Sequence, residues 1–237
     1  MKKSLLAIAF VLVSIGNLFA HALWIQTGTT GKIGQKQSVK IVYSEPDDKP
    51  EKLADWYSDV KDFELWLITP DKQKVKLATV AGEDHFTSEF TPEKDGVYTL
   101  SVSKAAKDLG GTTIYEFNAS AIVKVGKSLT GNDASFNSNA ISVFTDASKN
   151  FKVNQPFTLT TLLKGKPTEN LHVGVASPSG WNKNISSEAN GIATFTPVWP
   201  GTYKLEVSTS EETNGDHFGK PYKAIWRCAT LLVDVAK

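Results

Sequence analysis

The chain has 237 residues, with 26 Lys and Arg against 25 Asp and Glu, 41% hydrophobic side chains and one cysteine. This near-balance of charge gives no electrostatic ground for nucleic acid or an anionic membrane as partner. A single thiol excludes an internal disulfide, and its apolar setting around Cys228 predicts a buried, inert side chain. The length accommodates two domains of roughly 100 residues each.

Residues 1–20 read as a secretory signal peptide: Lys2 and Lys3, an apolar run from Leu5 to Ile15, then Gly16, Asn17 and Ala20. The run is shorter than the roughly 20 residues of a membrane span. No cysteine follows it to take a lipid, so no stable membrane insertion is expected. Its loss removes Lys2 and Lys3 and takes the formal charge from +1 to −1. Cleavage after Ala20 leaves His21 as the mature N-terminus, whereas Ala20-His21-Ala22 also fits a cut after Ala22. Export together with a disulfide-free design points to the periplasm.

From residue 21 the pattern is all-β. Strands are expected at 21–26 and 37–43, with glycines 28, 31 and 34 in the loop between them. An acidic, proline-bounded loop covers 45–52. Leu53, Trp56, Tyr57 and Val60 then fall on one face of a short helix that plugs an end of the sandwich. Strands at 63–69, 74–80, 85–90 and 112–125 complete a first domain, 21–125. Residues 126–137, rich in Gly, Ser and Asn, read as a linker. The second domain, 138–237, carries strands at 141–145, 156–164, 171–176, 192–195, 202–207 and 222–235.

The two domains share a repeat. Residues 90–103 and 195–208 both follow the frame F-T-P-x-x-x-G-x-Y-x-L-x-V-S, offset by 105. Alternation of Tyr98, Leu100 and Val102, and of Tyr203, Leu205 and Val207, with polar residues gives half-buried strands whose polar members face water. The Gly-x-Tyr entry matches the tyrosine corner of immunoglobulin-like sandwiches. The fold class expected is therefore two tandem immunoglobulin-like β-sandwiches. Each repeat is followed by a closing strand, but the second lies at an offset of 110, so about five residues have been inserted near Asp216-His217-Phe218. An insertion on a sandwich loop is a common place for function.

Chemistry rests on four histidines, since no G-x-S-x-G, P-loop, C-x-x-C or H-E-x-x-H is present and no catalytic role is expected. His172 sits on a strand, opposite in phase to Leu171, Val173 and Val175, and reads as solvated. His85 and His217 each follow an aspartate and precede a phenylalanine. A neighbouring carboxylate can orient an imidazole for a metal. A terminal His21 would offer its α-amine and Nδ1 to one ion, and with further imidazoles the nitrogen set suits Ni, Co or Cu. The expected metal ligands are His21, His217 and His85, with Asp216 and Asp84 as orienting acids and the His21 and His217 rings a few ångströms apart.

With those residues in view the chain resembles the periplasmic family known as domain of unknown function 4198. The resemblance rests on His21-Ala-Leu-Trp24, on Phe63-Glu-Leu-Trp-Leu-Ile-Thr-Pro-Asp71 and on Asn190-Gly-Ile-Ala-Thr-Phe195 leading to Pro200-Gly-Thr-Tyr203. It implies a metal-handling role of the nickel/cobalt-uptake type. The second domain resembles the carboxypeptidase-regulatory sandwich through Leu163-Lys-Gly-Lys-Pro167. Two readings follow. In one, a periplasmic protein captures a divalent transition ion for an inner-membrane importer or outer-membrane receptor. In the other, a non-catalytic sandwich module docks envelope partners without metal.

Overall fold

The computed structural model describes residues 21–237, and the expected signal segment lies outside them. The first part of the chain forms β1 (Ala22–Thr27), β2 (Thr30–Gly31), β3 (Gln37–Ser44), β4 (Leu65–Ile68), β5 (Lys74–Leu77), β6 (Val80–Ala81), β7 (Phe86–Phe90), β8 (Gly96–Ala105) and β9 (Thr113–Val125). The second forms β10 (Ile141–Phe144), β11 (Phe157–Leu163), β12 (Lys166–Pro167), β13 (His172–Ala176), β14 (Asn182–Ser186), β15 (Ile192–Phe195), β16 (Gly201–His217) and β17 (Lys220–Val235). The protein is all-β, in stacked sheets.

A nine-stranded sheet runs through both halves in the order β14-β13-β16-β17-β9-β8-β4-β5, with β2 on β9. Its joint is the parallel pairing of β17 with β9, from Ala224 opposite Thr113 to Leu231 opposite Ser120. A four-stranded sheet β1-β3-β7-β6 covers one part, and β10, β11, β12 and β15 form a cover for the other. Side-chain alternation puts the two covers on opposite faces. From β17, Ala229, Leu231, Val233 and Val235 enter the second core, while Cys228 enters the first with Trp226 and Leu232 at its margin.

The repeated frame forms two equivalent corners. The Tyr98 hydroxyl accepts from Lys94 N at 3.0 Å and donates to Lys94 O at 3.1 Å. The Tyr203 hydroxyl does the same with Trp199, at 3.1 Å in each direction. Leu100 and Leu205 are fully buried in the two separate cores. The frame's glycine has a steric reason. Gly96 (φ 144°) and Gly201 (φ 131°) lie against Pro70 and Pro178, where a Cβ would come within 2.6 Å and 2.9 Å of the rings. Tyr98→Phe and Tyr203→Phe are each expected to lower stability by about 1 kcal/mol in urea titrations. The losses should add in the double variant, because the corners are remote. A double variant as stable as the parent would remove the corners from the account.

Three local expectations are corrected. Residues 53–60 form turns and a 3₁₀ turn (Val60–Asp62) instead of a helix. The Leu53 amide donates to Glu83 O, the Trp56 indole to Glu51 O, and Ser58 takes φ 51°, so the backbone is committed elsewhere. Trp56 is still buried, against Tyr43, Phe63 and Phe86. The inserted residues are no loop. They lengthen β16 and β17 into a ribbon closed by Phe218-Gly219, both at positive φ, the geometry of a tight hairpin turn. A bulge between Glu212 and Gly215 bends its tip.

The third correction concerns the polar members of the repeat strands, which are not solvated. Thr99, Ser101 and Glu206 are buried because the shared sheet is covered beyond each core. Asn139 closes over β8, accepting from Ser101 Oγ and donating to Val102 O, both at 2.8 Å.

Candidate functional site

His21 heads β1, and the pairing of Ala22 with Ser44 sets it across from Glu45. Its ring stacks on Tyr43, with centroids 5.5 Å apart and planes at 29°. The 45–51 loop then turns back, and the Glu51 amide donates to Tyr43 O at 3.0 Å, so a second carboxylate returns to the same ring. His21 Nε2 lies 2.7 Å from Glu51 Oε1, and Nδ1 lies 3.8 Å from Glu45 Oε1. A carboxylate only accepts, so Nε2 carries the proton in that contact. Nδ1, beyond hydrogen-bond distance of Glu45, faces it across a gap. The Tyr43 phenol is pushed up first by burial, with the Glu51 charge adding, and stays neutral.

The second half supplies the floor. On β16, Lys204 donates to Pro46 O and lies 5.5 Å from the Trp24 ring centroid, while Asn182 of β14 donates to Asp47. The 45–51 loop is thus pinned across the shared sheet. Glu206, the next residue on that face of β16, is 4% exposed, and its Oε2 has no hydrogen-bond partner among the described residues. Burial, with the charge of Glu45 adding, pushes its pKa up to about 8, so at neutral pH it is a carboxylic acid. His21 thus lies between Glu45 and Glu51, and the charge of Glu45 is felt by Glu206 of the second half.

The other expected ligands have partners of their own. His85 Nδ1 bonds to the adjacent Asp84, whose carboxyl is held below its usual range first by that contact. His217 sits at the ribbon tip, its Nε2 donating to Ala106 O at 2.9 Å, with Lys220 3.3 Å from Asp108 and the Lys223 amide on Thr112 O. There it helps to clasp the tip to the first half. No partner atom is common to any two of these three rings. Among the described residues no group of three or more His, Cys, Asp or Glu side chains converges as a metal cage. His172 is exposed on β13, as expected.

Sequence reasoning missed Glu45, Glu51 and Glu206. The first two read as ordinary loop acids. Glu206 is out of phase with Tyr203, Leu205 and Val207, which is the signature of a solvent-facing position.

The family described as a domain of unknown function (DUF4198) matches residues 18–211. The chain belongs to that family. None of the curated proteins matches this DUF4198 chain. Among solved structures, a DUF4785 family protein from Legionella pneumophila is 14% identical, with a TM-score of 0.32 over 77% of this chain and 50% of that one. The BSP domain of a biofilm associated protein is 12% identical, with a TM-score of 0.26 over 90% of this chain and 30% of that one. An alpha-2-macroglobulin from Salmonella is 7% identical, also at 0.26, over 91% and 15%. The chain thus spans half or less of the length of each. Among the described residues no helix is long and apolar enough to cross a membrane.

Proposed function

We propose that this DUF4198 protein is a periplasmic carrier of a divalent transition ion, nickel, cobalt or copper, and that the ion sits on His21. The observation that carries this reading is the orientation of one ring: Nε2 is held by Glu51 at 2.7 Å while Nδ1 faces Glu45 Oε1 across 3.8 Å. Metal-bound imidazoles commonly give their second N–H to a carboxylate, which fixes the ring and strengthens the other nitrogen as a donor. Ligand bonds of about 2.0–2.2 Å place two donors roughly 3–4 Å apart across one ion. Nδ1 and Glu45 have that spacing. A chain cut after Ala20 would add the α-amine of His21 and close a chelate with Nδ1. This donor set differs from the three-imidazole set expected from sequence and makes His85 and His217 dispensable.

The test is titration of Ni(II) or Cu(II) into a chain that starts at His21. His21→Ala should abolish tight binding, and Glu51→Gln should weaken it by about 10–100-fold. An extra glycine ahead of His21 should weaken it strongly, whereas His85→Ala with His217→Ala should leave it unchanged. Equal affinity of parent and His21→Ala would end the proposal. The second reading, a docking module that meets an importer or receptor of the envelope, draws support from a cleft on another part of the molecule.

A further inference from the structure

The joint between the halves does not run the full length of its strands. Parallel pairing of β9 and β17 stops at Ser120 opposite Leu231. Beyond it β9 continues to Val125, where β2 pairs at Lys124 and Val125, while β17 continues to Val235 with only β16 beside it. At Ala236 the edge is taken up again, by the 151–153 segment: the Ala236 amide donates to Phe151 O, and the Val153 amide to Ala236 O. The strands therefore fork, and a cleft of about 990 Å³ opens between them.

Residues 231–236 line this cleft consecutively, whereas β9 contributes the alternate residues Ile122 and Lys124. Successive side chains of a strand point to opposite faces, so a consecutive run reaches a cleft through its backbone edge. The wall of the fork is thus an uncovered strand edge at Leu232–Val235, with an Ile122 floor. A short added strand fits such an edge, drawing affinity from main-chain hydrogen bonds.

Charge selects the kind of strand. Lys32, Lys36, Lys124, Lys149 and Lys152 line the cleft, against Asp146 and Asp234 as its acids. Both acids are occupied: Asp146 accepts from Asn132 and the Ser148 amide, and Asp234 from Thr202. Lys36 is paired with Glu89. Lys32, Lys124 and Lys152 have no ion-pair partner among the described residues. The chain's own N-terminal segment brings Lys2 and Lys3, not acids, and is no match.

We infer that the fork is a docking slot for an acidic, extended peptide segment of a partner protein, which adds as a strand to the β17 edge at Leu232–Val235 with its carboxylates toward Lys32, Lys124 and Lys152. This site is separate from the His21 site, and its occupancy does not depend on metal.

The probe is a fluorescein-labelled, end-capped peptide Val-Glu-Val-Glu-Val-Glu, read by anisotropy with the full mature chain in EDTA. Saturable binding is expected, weakening as salt rises. An analogue N-methylated at alternate residues should bind at least tenfold more weakly, since it lacks ladder donors. Lys124→Glu with Lys152→Glu should also lose at least tenfold. Hydrogen exchange on the unmutated protein gives a readout that needs no variant: the peptide should protect amides within 232–235. Absence of saturable binding, or binding without protection there, would overturn the slot. So would equal binding by the N-methylated analogue and by tripolyphosphate, which would make the cleft a trap for any anion.

Discussion

Glu206→Gln is expected to flatten the pH dependence of stability and to make the protein more stable than its parent above pH 8. In the folded chain the Glu206 carboxyl keeps its proton up to about pH 8, against a reference value of 4.5. Between those values the unfolded chain releases a proton that the folded chain retains. The stability of the parent therefore falls as pH rises from about 5 to 8 and levels off above. Each pH unit in that window is worth up to about 1.4 kcal/mol. Relaxation of the site reduces this, so a gain of roughly 2–4 kcal/mol for the neutral variant at pH 9 is the expected size. Because glutamine brings a second N–H that must find an acceptor, Glu206→Met is the companion variant. Urea titrations in EDTA from pH 5 to 9 measure both. If both variants keep the parent's slope, Glu206 does not titrate as a buried acid.

The second large effect is expected at the joint. Arg227 of β17, with a side chain 9% exposed, donates from Nε to Glu116 of β9 at 3.0 Å and from Nη1 to Glu211 of β16 at 2.7 Å. Lys164 completes the row on Glu211, and Asn118 donates to the other oxygen of Glu116. Removing one partner of a buried pair leaves an uncompensated charge, which costs about 3–5 kcal/mol. Arg227→Met is expected to fall in that range, because Glu116 is only 14% exposed. Adding Glu116→Leu should recover most of the loss, since an apolar replacement of a whole buried pair is often neutral. An unchanged urea midpoint for Arg227→Met alone would show that the pair is screened by water and does not hold the joint.

The fold class was legible because the information for it is local. F-T-P-x-x-x-G-x-Y-x-L-x-V-S encodes a turn, a corner and a strand within 14 residues, and the backbone groups that Tyr98 and Tyr203 bond to are four residues away. What spans the two halves was not legible. Ser101 and Glu206 hold the same position in the repeat, and alternation assigns both to water. Both are buried, at 5% and 4% exposure, by pieces of chain that approach from elsewhere. Asn139 covers one, and the other shares its face of β16 with Lys204, which bonds to Pro46 of the first half. Of the candidate site, His21 stood out through its place after the expected signal segment. Glu45 and Glu51 did not, because their role depends on a loop that turns back to β3. His217 drew notice as an insertion, and an insertion signals an extra structure without saying whether that structure binds a ligand or clasps the fold.

The parallel joint also sets an order of events during synthesis. Asn118 and Cys228 are 110 residues apart and meet across it. The first half leaves the ribosome with the edge of β9 bare and without Cys228, which its core includes. Contacts this distant in sequence form late, after a large loop has closed. Until β17 arrives, that edge can pair with the β17 of another molecule. Crowded expression should therefore favour strand-exchanged dimers, and truncation ahead of residue 224 should leave a sticky first half in place of a smaller folded protein.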